Sequence, residues 1–163
     1  MRFAYTRPDG GVSIVTAAPK PIDLTDEEHR ARVIEKSIPP DATDVIELAD
    51  DWQPPEDRTF RDAWRQLKGE IGVDMPAARE IARKTIRAAR PKLFAPLDAE
   101  IDKFSAKAIT GTLTANDKAA VAAAEAKRQE LRDAPADPRI DVAASADELK
   151  ALLVEAGAAI ARA

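Results

Sequence analysis

Six apolar residues, Ile86, Ala89, Leu93, Leu97, Ile101 and Phe104, recur at intervals of three and four. That rhythm is one continuous side of an α-helix and excludes a strand. Pro91 and Pro96 fall inside the same run. Each removes an internal hydrogen bond, at about 3 kcal/mol in a straight helix interior. The expectation is therefore a helix with a break or marked bend between Arg90 and Leu97. Asp74 and Pro76 suit its first turn, and "ITGTLT", with Gly111 as pivot, connects it to a second long helix. Thr114 and Asp117 open that helix, with Val121, Ala124, the Arg128 stem and Leu131 inward. Pro135 and Pro138 stop it. Ser145 and Glu148 cap a last helix, its apolar positions being Leu149, Leu152, Leu153, Ala156 and Ile160. Residues 74–163 thus read as an αα-hairpin plus a terminal helix.

Before Asp74 the periodicity is different. "RFAYT" and "VSIVT" flank the turn cluster Arg7-Pro8-Asp9-Gly10-Gly11, a β-hairpin pattern. Thr25 stands three residues before Glu28, capping-box spacing for a short helix with Val33 and Ile34 inward; Pro39 and Pro40 end it. Val45, Ile46 and Leu48 read as a strand. Phe60 to Trp64 read as a helical turn, with another strand through Ile71 and Val73. Trp52, Phe60 and Trp64 are the expected core anchors. The fold class is α+β: a small α+β unit over 1–73, then the helical half.

The 163 residues contain no Cys and one His. Disulfide frameworks, thiol nucleophiles and multi-histidine metal sites are thereby excluded. His29, in "DEEHR", reads as a surface histidine. Aromatic residues make up 4% of the chain, so alanine supplies thin packing surfaces, a composition that points to self-association. Neither a signal peptide nor an apolar run of membrane-spanning length is evident, and a cytoplasm-like compartment is expected.

Charge is unevenly distributed. Residues 20–57 hold twelve acidic against four basic residues, whereas 58–107 hold twelve basic against seven acidic. Arg79, Arg83, Arg87 and Arg90 recur at four, four and three, along one side of the long helix. Two uses compete: a phosphate-tracking face of a small nucleic-acid-associated regulator, and a solvated or protein-docking face. No aromatic residue is interleaved with these arginines and the whole chain carries a net charge of −4, which favours the second. No phosphate-binding glycine motif, nucleophile elbow or EF-hand spacing occurs, so neither cofactor nor catalytic residues are assigned and no enzymatic activity is expected.

Three stretches, "IPPDATDVIELADDWQPPEDRTFRDAW", "DMPAAREIARKTIRAARPKL" and "KRQELRDAPADPRIDVAASADELKAL", resemble small proteins encoded by phages and prophages of alphaproteobacteria. The last is also similar to an Arg-Gln-x-Leu-Arg-Asp element of phage tail assembly chaperone and tail-fibre assembly proteins, here Arg128, Gln129, Leu131, Arg132 and Asp133. Ala126-Lys127 stand where that family has an aromatic residue. The resemblance implies a protein of the tail region that acts by contact, in the host cytoplasm during assembly or in the virion tail. The partner would be a tail or tail-fibre protein. The expected partner-binding surface comprises Arg79, Arg83, Arg87, Arg90, Leu93, Leu97, Ile101 and Phe104, with Arg128, Leu131 and Arg132.

Overall fold

Phe3 and Ala4 are adjacent in one strand and neither is exposed to solvent, so that strand must be covered on both faces. It is β1 (Arg2–Thr6), the middle of a sheet in which it pairs antiparallel with β2 (Val12–Thr16) and β3 (Thr43–Leu48). The structure is a computed structural model that describes residues 1–55, 57–67 and 69–158. The fold is mixed α+β, and the chain divides into two compact units, Met1–Asp74 and Met75–Ala163.

In the first unit, Phe3 faces helix α1 (Asp26–Ser37), packing with Val33 and Ile38 and against Tyr5 and Val15. Ala4 faces the other way, toward Val12, Leu48 and Trp64. Trp64 begins a second hairpin, β4 (Trp64–Leu67) with β5 (Glu70–Val73), whose connection holds Gly69 at φ 87°. The sheet is therefore sandwiched between α1 and this hairpin. A bulge in the β1–β3 pairing lies beside Asp44, at φ 50°, a conformation aspartate tolerates better than most residues.

Several expectations for this unit hold. The Thr25–Glu28 capping box is complete, and a short 3-10 turn spans Arg61–Ala63. Phe60 and Trp64 are buried, while Trp52 packs partly buried against the core. The segment after Trp64 forms two strands rather than one. His29 corrects the sequence reading: it is 7% exposed. It lies one helical turn before Val33, so it shares the face of α1 that is turned to the sheet.

The second unit starts with α2 (Met75–Ile109), a single 35-residue helix that runs through both Pro91 and Pro96. The helix is not broken between Arg90 and Leu97, the stronger of the two outcomes expected there. Two missing N–H donors are tolerated because neighbouring elements brace the helix on either side of them: α5 (Ala146–Glu155) packs on α2, and α3 (Ala115–Asp133) runs beside it. Gly111, at φ 67°, ends α2 in a Schellman cap: Thr112 N–H bonds the Lys107 carbonyl and Gly111 N–H bonds that of Ala108. Thr114 and Asp117 then form the expected capping box of α3.

After Asp133 the chain is more ordered than the two prolines imply. A 3-10 turn (Ala134–Ala136) leads into α4 (Pro138–Val142), and Ile140 there is fully buried. Ser145 caps α5 as expected. However, α5 ends at Glu155, because Gly157 (φ 66°) makes a second Schellman cap, with Ala158 N–H on the Leu153 carbonyl. Ile160, read as part of this helix, lies outside the described residues. No helix among the described residues is long and apolar enough to cross a membrane.

Candidate functional site

The arginine series on α2 is the natural place to look for a contact surface, and its geometry depends on where each guanidinium ends. Arg79 Nη2 donates to the Ala143 carbonyl at 2.9 Å. Arg83 reaches both Asp141, on α4, and Glu80. The hydrogen bond with Asp141, then that with Glu80, holds its proton more tightly than in a solvated arginine. Arg90 Nε donates to the Leu131 carbonyl at 3.0 Å, and its Nη2 bonds the carbonyl of Arg132. These are the last turns of α3, where carbonyls have no helical partner. A cation there also meets the negative end of the helix dipole. Arg79, Arg83 and Arg90 therefore bind the unit's own later segments to α2.

Arg87 is the exception. It is exposed, and its side chain makes no hydrogen bond or ion pair with a described residue. The phosphate-tracking or docking row of four thus contributes one unengaged guanidinium. Arg128 is likewise used within the hairpin: it pairs with Asp98 on α2 at 3.0 Å and with Glu125 at 2.8 Å. Leu131 is buried. Arg132 is exposed, and among the described residues its side chain donates to Gln129 of its own helix, at 3.3 Å.

The apolar stripe divides at the prolines. On its near side Ala78, Ala82 and Ile86 are buried; the two alanines extend the stripe by two turns beyond its sequence-read start. Leu93 is half-buried beneath the α5 cap, with a methyl 3.4 Å from where a Cβ on Gly157 would stand. Leu97 is also half-buried. Ile101 and Phe104 belong to a different environment, an apolar cleft of about 290 Å³ at the far end of the α2–α3 hairpin. Leu113, Val121 and Ala108 complete most of its lining. Ile109, next to it, is 88% exposed.

This far end is held by polar contacts around the connector. Lys107 Nζ sits 5.4 Å from the Phe104 ring centroid and 3.0 Å from Asp117 Oδ1. Asp117 also accepts from the Thr114 backbone N–H and hydroxyl. These bonds, Thr114 foremost and Lys107 after it, lower its carboxyl from the ordinary 3.8 to about 2. The cleft itself offers shape and apolar surface but no acid–base pair. Among the described residues no group of three or more His, Asp or Glu could hold a metal ion. Compared with known protein families, curated proteins and solved structures, the chain matches none of them.

Proposed function

We propose that the protein acts by contact and not by chemistry, as an assembly factor or minor component of a phage or prophage tail. Its docking element is the far end of the α2–α3 hairpin. The observation that carries this reading is the cleft formed by Ile101, Phe104, Leu113 and Val121, with the exposed Ile109 beside it. A groove between two helices, lined by apolar side chains that no further segment of the described unit covers, suits an amphipathic helix of a partner. The resemblance to tail-region proteins supplies the class of partner: a tail or tail-fibre protein.

The test has two parts. Mass spectrometry of purified particles from a strain that encodes the protein would find it at fixed stoichiometry if it is a tail component. Recovery from infected cells but not from particles would make it an assembly factor. In either case Ile109→Glu and Phe104→Glu should abolish co-purification with the tail partner. Ile109→Glu is the cleaner variant because its side chain is already in solvent. Undiminished co-purification by both variants removes the cleft from the mechanism. Substituting Arg83 would not discriminate, because it breaks the tie to Asp141.

A further inference from the structure

The first unit holds an arrangement of a different kind. Arg2, Arg58 and Arg61 line one cleft of about 310 Å³, together with Trp52, Trp64 and Gln53. Among the described residues, no carboxylate lines it. That is unexpected for Met1–Asp74, where sixteen acidic residues outnumber ten basic ones. In the second unit Arg79, Arg83, Arg90 and Arg128 each have a carbonyl or carboxylate partner. The side chains of Arg58 and Arg61 have neither a hydrogen bond nor an ion pair to a described residue, and both are exposed.

The surrounding structure holds the Arg2 side chain and the backbone that carries the other two. Arg2 Nη1 donates to the Trp52 carbonyl, which ties the central strand to the tryptophan wall. Arg61 N–H bonds the Arg58 carbonyl at 3.0 Å, so a tight turn sets the two side chains three residues apart at the rim. Trp64 is 3% exposed, anchored in the core beneath. Trp52 is half-buried and lines the cleft. Three like charges around one concavity repel one another, and an anion placed among them relieves that repulsion.

We infer that this cleft binds a phosphate monoester carried on a flat ring, of the size of a nucleoside monophosphate. Guanidinium groups match phosphate oxygens through paired hydrogen bonds. The dianion suits three positive charges better than a monocarboxylate does. The indole of Trp52 supplies a stacking surface for the ring, worth roughly 1–3 kcal/mol for a base on an aromatic side chain. The cleft is at the lower end of small-ligand pocket volumes, roughly 300–1,000 Å³.

The experiment is isothermal titration of the full-length protein with 5′-AMP, adenosine and inorganic phosphate at low ionic strength. Saturable binding of AMP, tighter than that of either fragment, is expected. The double variant Arg58→Glu/Arg61→Glu should weaken AMP by about a hundredfold, since each lost charge-assisted contact accounts for about tenfold. Trp52→Ala should cost about tenfold for AMP and leave phosphate unchanged. Both arginines are exposed, so the double variant should keep its far-UV circular dichroism, which is measured alongside. Absence of saturable AMP binding overturns the assignment, as does AMP binding that the double variant retains at full strength. AMP binding no tighter than phosphate removes the ring from the ligand.

Discussion

The near and far halves of α2 have the same helical geometry and similar apolar spacing, yet they are stabilised in different ways. Before Pro91, Ala78, Ala82 and Ile86 are buried, as are Ile140, Leu149 and Leu153 of the later segments, and three arginines clamp those segments onto the helix. After Pro91 no residue of α2 is fully buried. There, two helices share a thin apolar seam closed by a polar knot of Lys107, Thr114 and Asp117. A helix that is over-determined at one end and lightly held at the other leaves surface for a partner only where its own fold does not consume it. That asymmetry, rather than the charge of the arginines, is what favours the far end as the proposed docking element.

The largest expected effect tests the asymmetry directly. Leu149 is fully buried in the near core, and Leu149→Ala should cost about 2–5 kcal/mol through lost transfer energy and the cavity left behind. Ile101→Ala, at the half-buried far cleft, should cost less than about 1.5 kcal/mol. Urea denaturation read by circular dichroism gives both values. Equal losses would mean that the hairpin is uniformly stabilised and that the far cleft is part of the core.

A smaller contrast concerns two arginines three residues apart. Arg90→Ala removes the bonds to the Leu131 and Arg132 carbonyls and should cost about 1.5 kcal/mol. Arg87→Ala, an exposed change without a described partner, should stay within about 0.5 kcal/mol of the parent. If Arg87→Ala proved the more damaging, that guanidinium would have to have a structural role and the clamp assignment would be wrong.

The contrast also separates what a sequence shows from what it hides. The caps at Thr25, Thr114 and Ser145 were legible because a cap is a local device, complete within four residues. So was the helical periodicity of the second unit. The arginine clamps were not, since Arg79 and Ala143 are 64 residues apart in sequence, and no spacing rule on one helix shows what another brings to it. That α2 runs unbroken through its prolines was not legible for the same reason: proline costs are local, and the packing that offsets them is not. By contrast, Gly157 was a readable stop signal, since glycine after a helical run favours the left-handed C-cap. The burial of His29 was readable too, from its four-residue spacing to Val33. The arginine–tryptophan cleft had no sequence signature at all, because Arg2 comes from a strand and Arg58 and Arg61 from a turn more than fifty residues later.

The smallest predicted effect is confined to the far end and depends on pH. Asp117 titrates at about 2 in the folded chain instead of the ordinary 3.8, chiefly through its bonds to Thr114. A carboxyl whose pKa is depressed by folding contributes stability that is complete above its unfolded value. That contribution disappears as pH falls through the folded one. The cap of α3 and its tie to Lys107 should therefore persist unchanged down to about pH 4 and be lost by about pH 2. Amide protection at the first turn of α3, taken relative to the intrinsic exchange rate at each pH, should fall over that interval in the parent protein, whereas Asp117→Asn should show low protection there at neutral pH as well. Amides of α5, whose own carboxylates bond the Ala144 N–H and Arg139 and take no part in the Asp117 knot, should respond less to the same substitution. Loss of protection in α5 together with that of the α3 cap would show the two ends to be one cooperative unit, and the division of α2 at its prolines would then have no energetic meaning.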